Sequence, residues 1–159
     1  MSEIQSGGLD GRGLKIGIVV SRWNRSVTDG LLAGAREALD TCGVRGDSVL
    51  VTEVPGAFEI PIVADALAQF GCDAVVALGC VIKGETAHFE YVSDRAMNGI
   101  ATVSERRGIP VTCGILTTYD EAQAVARSQN DDENKGREAA LAAVETANLL
   151  RILRSSHAA

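Results

Sequence analysis

The sequence predicts an α/β protein in which a four-stranded parallel sheet lies between two layers of helices, a three-layer α/β/α sandwich. Four short runs rich in β-branched residues alternate with segments whose apolar residues recur at helical spacing. Parallel strands need crossover connections, and helices that supply them cover both faces of the sheet. The length of 159 residues and the hydrophobic content of 46% fit a single domain with its own core.

The first strand–helix unit follows a glycine-rich lead-in. Residues 1–13 carry few apolar side chains, so alone we expect them to be mobile, although they could order by adding to the sheet edge of another subunit. Residues 14–20 predict a buried strand. The apolar stripe that follows predicts a helix ending at Gly43.

Two further units follow in the same order. Residues 48–54 predict the second strand, and the helix after it has Pro61 in its first turn and ends before Gly71. The third strand is predicted at residues 73–78, where Gly79 breaks the apolar run. A helix from about Phe89 to Arg107 ends at Gly108.

The last unit contains two predicted helices. Residues 110–117 predict the fourth strand, and Thr118 with Glu121 resembles a capping box that opens a short helix to about Arg127. A longer alanine-rich helix is predicted at residues 134–153. We expect residues 155–159 to fray, which leaves residues 14–154 as the folded domain.

The loop after the third strand concentrates reactive groups. Lys83, Thr86 and His88 lie between a strand and the start of a helix, where backbone N–H groups without partners favour an anion. His88 is the only histidine outside the tail, and histidine exchanges protons near neutral pH. The carboxyl ends of parallel strands are also where ligands usually bind.

Two familiar phosphate motifs are excluded. Gly79 and Gly84 have the spacing of a nucleotide P-loop, but Glu85 stands where that motif has lysine, and its carboxylate would repel a polyphosphate. The glycines of residues 7–13 precede the first strand, whereas a dinucleotide fingerprint follows it.

Composition narrows the class of partner. A net charge of −6 without a dense basic run argues against nucleic acid or an anionic membrane as partner. No apolar run is long enough to span a membrane and no secretion signal is evident, so we expect a cytoplasmic protein. The four cysteines lack C-x-x-C spacing, which favours reduced thiols, and with two histidines no metal site is expected.

Several candidate residues have a plain structural alternative. Trp23 is either a stacking platform for a planar ligand or an ordinary packed side chain. Glu59 either contributes to a site or satisfies N–H groups at a helix start. His88 is either a proton-transfer group or a solvent-facing residue at a helix start, and Arg127 and Lys135 could simply form a solvated face.

Four motifs, in register over residues 9–152, closely resemble the 6,7-dimethyl-8-ribityllumazine synthase family. They are Ser21-Arg22-Trp23-Asn24, Val54-Pro55-Gly56-Ala57-Phe58-Glu59-Ile60-Pro61, Leu78-Gly79-Cys80-Val81-Ile82-Lys83-Gly84-Glu85-Thr86-Ala87-His88-Phe89 and Asn134-Lys135-Gly136. The resemblance implies a flavodoxin-like fold and a step of riboflavin synthesis. In that step 5-amino-6-(D-ribitylamino)uracil condenses with L-3,4-dihydroxy-2-butanone 4-phosphate, releasing phosphate and water.

The resemblance also implies roles for individual residues. The implied catalytic residues are His88, Arg127 and Lys135. His88 would transfer protons, Arg127 would bind phosphate and assist its departure, and Lys135 would lie near the pyrimidine ring. The implied substrate-binding set is Trp23, Asn24, Gly56, Ala57, Phe58, Glu59, Cys80, Val81, Ile82, Lys83, Glu85, Thr86, Cys113 and Arg127. Cys113 departs from the pattern, since many relatives have a large aromatic residue at that position.

Partners and cofactors are implied in the same way. No metal or organic cofactor is expected. The family forms homopentamers in which residue 113, Arg127 and Lys135 come from the adjacent subunit, and the short segment of residues 128–133 favours a 60-subunit shell. Riboflavin synthase is a candidate partner. A different class of protein, a non-catalytic flavin or lumazine carrier or a shell protein on this scaffold, would need the ring platform but not the phosphate and proton-transfer groups.

Overall fold

The computed structural model describes residues 3–158, and its centre is a four-stranded sheet in which every pairing is parallel. The strand order is β2-β1-β3-β4. The strands are β1 (Ile16–Ser21), β2 (Val49–Val54), β3 (Ala74–Ile82) and β4 (Val111–Thr118). The predicted sheet is therefore confirmed, with β2 and β4 at its edges.

Helices cover both faces of this sheet. They are α1 (Arg25–Thr41), α2 (Ile60–Gln69), α3 (His88–Arg107), α4 (Glu121–Ala126) and α5 (Lys135–His157). One core layer joins α1 and α5 to side chains such as Ile18 and Val76, and the other joins α2 and α3 to side chains such as Val19 and Val75. Successive residues of each strand point to opposite faces, so the β-branched runs fill both layers. The three-layer α/β/α architecture is confirmed.

The third strand is longer than the sequence predicts. It does not break at Gly79, because residues 79–82 pair with Ile115, Leu116, Thr117 and Thr118 of β4. A glycine weakens a strand, but a complete ladder on one side retains it. The predicted end at residue 78 is wrong, and Cys80, Val81 and Ile82 lie in the strand.

Two helix boundaries also differ from prediction. The side chain of Asp120 caps α4 by accepting the N–H of Gln123 at 2.8 Å, whereas Thr118 donates its hydroxyl to the Asp120 carbonyl. The predicted capping box of Thr118 is therefore wrong. Helix α5 continues to His157, beyond the predicted end at residue 153.

The lead-in packs against its own chain after residue 6. Asn148 of α5 donates its side-chain amide to the carbonyls of Gly8 and Asp10, at 3.2 and 2.8 Å. Gly11 donates its N–H to the Cys42 carbonyl. Ile4 stays 94% exposed, so only the first part of the described lead-in lacks contact with the domain.

Candidate active site

The loops that follow β1 and β2 are joined at the carboxyl edge of the sheet. Arg22 donates its backbone N–H to the Val54 carbonyl at 2.8 Å, and Trp23 donates to the Pro55 carbonyl at 3.1 Å. These bonds continue the β1–β2 ladder beyond its last pair, Ser21 and Val54. The two loops therefore form one continuous surface.

The indole of Trp23 lies on that surface against Gly56. A β-carbon added at Gly56 would be 2.7 Å from Cε3 and 2.8 Å from Cζ3 of the indole, so any side chain at position 56 would displace the ring. Trp23 is nevertheless 61% exposed. One part of the ring packs on backbone and most of it faces solvent, an arrangement suited to stacking on a planar ligand.

The turn after Gly56 is closed by Glu59. One carboxylate oxygen of Glu59 accepts the Gly56 N–H at 2.9 Å, and the Gly56 carbonyl accepts the Glu59 N–H at 3.2 Å. The structural alternative predicted for Glu59 is thus present, and its second oxygen can still accept hydrogen bonds. Ala57 is buried, whereas half of Phe58 is exposed, with the Arg95 guanidinium 5.7 Å from its ring centroid.

The end of β3 pairs with β4 alone, because its pairing with β1 stops at Leu78. Cys80 is buried, and burial raises the pKa of its thiol to about 11, with a smaller contribution from Glu121. The thiol is therefore protonated and unreactive near neutral pH. The Cys80 carbonyl accepts the side-chain amide of Asn24 at 3.0 Å, and Val81 and Ile82 are half-buried.

Lys83 follows the end of β3 and lies beside Tyr119, a residue that the sequence motifs did not indicate. Its ammonium lies 5.7 Å from the ring centroid of Tyr119 and 4.0 Å from a Glu90 carboxylate oxygen. The Tyr119 ring also lies 6.3 Å from that of Phe89 and is 71% exposed. The sequence offers one indication of Tyr119, because an aromatic residue directly follows the fourth strand.

Glu85 and Thr86 are exposed in the loop that leads into α3, and His88, the first residue of that helix, is exposed as well. The His88 N–H donates to the Thr86 hydroxyl at 3.4 Å. This bond sets the hydroxyl at the first turn of a 20-residue helix. Phosphate oxygens are favoured at such a helix start because backbone N–H groups point toward them.

A second group of predicted residues surrounds a small cavity at the β4 edge. The cavity has a volume of about 220 Å³ and contains Cys113, Arg127 and Lys135 in its walls. The Lys135 N–H donates to the Arg127 carbonyl at 2.9 Å, which fixes the two residues relative to each other. The Arg127 guanidinium donates to the Gln123 carbonyl, and the Lys135 ammonium pairs with Glu138 at 2.8 Å.

Cys113 differs from the other three cysteines. It is exposed, whereas Cys42, Cys72 and Cys80 are buried. Its sulfur contacts the sulfur of Met97 on α3, and the protein atoms around the thiol raise its pKa. Cys113 thus forms a small, uncharged wall of the cavity.

The predicted residues therefore form two groups within one chain. Among residues 3–158, no hydrogen bond or ion pair joins Arg127 or Lys135 to Trp23, Glu59 or His88.

Within the same range no three histidine, cysteine or acidic side chains cluster as metal ligands, and no helix is long and apolar enough to cross a membrane.

The fold is that of a three-layer α/β/α protein with a parallel sheet, and the polar candidate site lies at the carboxyl edge of that sheet. The family model of 6,7-dimethyl-8-ribityllumazine synthase matches residues 13–151. Proteins named 6,7-dimethyl-8-ribityllumazine synthase are similar along nearly the whole chain. That of Kineococcus radiotolerans is 50% identical over 145 residues, covering 90% of this chain and 89% of its own.

Two Clavibacter proteins of the same name extend the similarity. That of Clavibacter michiganensis subsp. michiganensis is 47% identical and that of Clavibacter sepedonicus 49% identical, each over 156 residues, which cover 97% of this chain and 96% of theirs. The chain therefore belongs to the 6,7-dimethyl-8-ribityllumazine synthase family, as its motifs predicted.

Proposed function

We propose that this protein is a transferase of riboflavin biosynthesis that makes 6,7-dimethyl-8-ribityllumazine. It condenses 5-amino-6-(D-ribitylamino)uracil with L-3,4-dihydroxy-2-butanone 4-phosphate and releases phosphate and water. The observation that carries the proposal is the exposed indole of Trp23 on Gly56, beside the turn closed by Glu59, in a chain of this family. The reaction requires no metal or organic cofactor.

The first substrate is bound by the loops after β1, β2 and β3. Its pyrimidine ring stacks on Trp23, and its edge meets the backbone of residues 80–82 at the strand end. The ribityl chain runs along Ala57 and Phe58, and its hydroxyls donate to the second oxygen of Glu59. The tight Gly56 turn is what brings the ring platform and this carboxylate together.

The phosphate of the second substrate binds at the start of α3. Thr86 lies at this helix start with its hydroxyl already oriented by the His88 N–H. Lys83 and Arg127 supply positive charge, and Glu85 and Thr86 form the phosphate-binding turn, in which backbone N–H groups and not the Glu85 carboxylate meet the phosphate. Matching the phosphate charge assists its departure as well as its binding, because the leaving group carries that charge away.

His88 transfers protons in this proposal. The aromatic amine attacks the ketone and forms an imine with loss of one water. Phosphate then leaves by β-elimination, and attack of the ribitylamino nitrogen on the remaining carbonyl closes the ring with loss of a second water. Each step moves protons but none needs a strong electrophile, so one exposed imidazole is sufficient. Orientation of the two substrates supplies most of the remaining acceleration. Lys135 completes the site near the pyrimidine ring.

Each site is shared between adjacent subunits of a homopentamer. Among residues 3–158, no hydrogen bond or ion pair joins Arg127 or Lys135 to the group of Trp23, Glu59 and His88, which supports this arrangement. A groove between α2 and α3, with exposed Phe58, Ile62 and Tyr91 in its walls, supplies apolar surface for a neighbouring copy.

Larger assembly and location are part of the same proposal. Twelve pentamers close into a 60-subunit shell, and riboflavin synthase, which consumes the product, is a candidate partner. The cysteines of the described residues are all free thiols, which fits a reducing compartment and supports the cytoplasm.

The test is turnover by the purified protein. Incubation with both substrates should produce the absorbance of the lumazine and release one phosphate for each product formed. The carrier alternative predicts binding of the lumazine without its formation. Tight lumazine binding with no phosphate release above the uncatalysed rate would overturn the proposed enzyme.

A further inference from the structure

Asn24 has a backbone conformation that no other non-glycine residue adopts among residues 3–158. Its φ and ψ are 60° and 48°, in the left-handed region. Its carbonyl accepts the N–H groups of Val27 and Thr28 at 2.9 and 3.0 Å, so α1 begins here. Its side chain does not cap that helix. A capping role therefore does not explain the asparagine amide.

The amide instead reaches the third strand. Its Nδ2 donates to the carbonyl of Cys80 at 3.0 Å, across 56 residues of sequence. Strand β3 pairs with β1 only as far as Leu78, opposite Val20. On its other side β3 pairs with β4 up to Ile82 and Thr118. Residues 79–82 therefore have a strand partner on one side only.

Asn24 supplies a hydrogen bond on the open side of this strand end. Where β1 has turned away, the side chain of Asn24 replaces the missing β1 backbone donor at Cys80. The preceding residue, Trp23, is tied to the second loop through the Pro55 carbonyl. Asn24 thus links the loop that carries Trp23 to the end of β3.

We propose that Asn24 is a positioning residue that holds residues 80–82 in line with Trp23, so that both contact one pyrimidine ring. This inference rests on the proposed function, because the shared ligand is the pyrimidine substrate. Asn24 acts through the Cys80 carbonyl. Its left-handed backbone turns the chain so that the Trp23 ring and the amide can point to their separate partners.

Two substitutions separate the amide from the backbone conformation. Asn24→Asp keeps the size and tolerates the left-handed region, but replaces the donor by a carboxylate facing a carbonyl oxygen. Asn24→Gly keeps the conformation and removes the side chain. Asn148→Asp is the matched control, because its amide also donates to backbone carbonyls, those of Gly8 and Asp10, before β1.

The expected effect falls on one substrate. In the Asn24→Asp and Asn24→Gly variants, KM for the pyrimidine should rise about 2- to 10-fold, the value of one hydrogen bond, and more for aspartate than for glycine. KM for the phosphate-bearing substrate and kcat should change less than about 3-fold, since their groups lie elsewhere. Amide hydrogen exchange of residues 79–84 should quicken in both variants and not in Asn148→Asp.

Exchange and kinetics together decide the inference. Unchanged exchange in residues 79–84 overturns it, and so does an equal rise of KM for both substrates, which a general loss of structure would produce. A wild-type protein without turnover would contradict the proposed function instead. In that case the same comparison is made with the Kd of a lumazine, measured by Trp23 emission, in place of KM.

Discussion

Trp23 packs so closely on Gly56 that a β-carbon at position 56 would lie 2.7 Å from the indole. The glycine therefore sets the height of the ring above the second loop. Because the indole remains 61% exposed, its free face is available to a ligand. The stacking interpretation of Trp23 stays a prediction, which the following experiment tests.

Replacing Trp23 by alanine should weaken lumazine binding by about 1–3 kcal/mol, the range for large aromatic contacts. In the wild type, a bound lumazine should quench the emission of this single tryptophan. Titration of both proteins by calorimetry measures the difference. Trp23→Phe is the control, since it keeps a ring and should lose less. Equal affinity of the alanine variant and the wild type would remove Trp23 from the site.

His88→Ala should lower kcat about 10- to 10³-fold, at or below the usual range for general acid–base groups, because substrate orientation survives. Lumazine affinity should change little. His157→Ala is the matched control, since the chain has two histidines and His157 lies in the last turn of α5. Full turnover of His88→Ala in a steady-state assay would show that another group transfers the proton.

Cys113→Phe should tighten lumazine binding by about 0.5–1.5 kcal/mol, the contribution of an aromatic pair beyond its buried area. The physical reason is that the wild-type side chain at position 113 in the cavity wall is a small thiol, whereas phenylalanine would add an aromatic ring beside Arg127 and Lys135. Cys113→Ser keeps the size and should leave Kd nearly unchanged. If phenylalanine weakens binding while pentamers still form, the cavity does not face the ligand ring.

Acid stability should depend on Asp65, which joins α2 to the end of α3. Arg107 and Arg106 hydrogen-bond its carboxylate, at 2.7 and 2.5 Å, and hold its pKa well below the usual range. A lowered folded-state pKa stabilises the fold above the unfolded value of about 3.9 and loses that contribution as pH falls. Asp65→Asn should therefore lower Tm at pH 7.

The Tm difference between Asp65→Asn and the wild type should shrink as pH falls below about 4, because the carboxyl then protonates in the unfolded chain while the folded chain still holds it ionised. Asp40→Asn serves as the control, because Asp40 is exposed and makes no ion pair among residues 3–158. Calorimetry across this pH range measures both. A Tm difference that is the same at pH 3 and pH 7 would mean that the ion pairs do not stabilise the fold.

The sequence predicted the order of strands and helices because that order depends on local periodicity. The end of β3 depends instead on a neighbour: Gly79 breaks an apolar run, yet Ile115 of β4 pairs with it. The prediction that Thr118 caps α4 is wrong for a related reason. Thr118 ends a strand, and its hydroxyl donates to the Asp120 carbonyl. The periodicity of the sequence does not indicate which residues meet in the folded chain, so these two features could not be predicted.

The candidate site shows the same division. Its residue types could be read from the motifs, and the family is confirmed. Two contacts could not be predicted from the sequence, because each joins segments that are far apart in the chain. They are the packing of Trp23 on Gly56 and the hydrogen bond from Asn24 to Cys80. Tyr119 was missed because its partners, Lys83 and Phe89, meet it only in the folded chain.

The proposal that each site is shared between two subunits makes a prediction that no single substitution can test. In a closed ring every subunit offers the same two surfaces, one to each neighbour. If His88 and Arg127 of one site come from different chains, defects in the two residues can be separated into different sites. Equal amounts of weakly active His88→Ala and Arg127→Ala chains, denatured together and refolded, should then leave about a quarter of sites with both wild-type groups.

Turnover of the mixed rings should thus rise well above the average of the two parents, toward about a quarter of the wild-type rate, because placement around the ring is random. Native mass spectrometry establishes that pentamers contain both chains. Refolding each variant alone is the control, since it subjects the protein to the same treatment without mixing. Mixed pentamers with only the parental average would place His88 and Arg127 in one subunit, because a site within one chain always keeps its own defect.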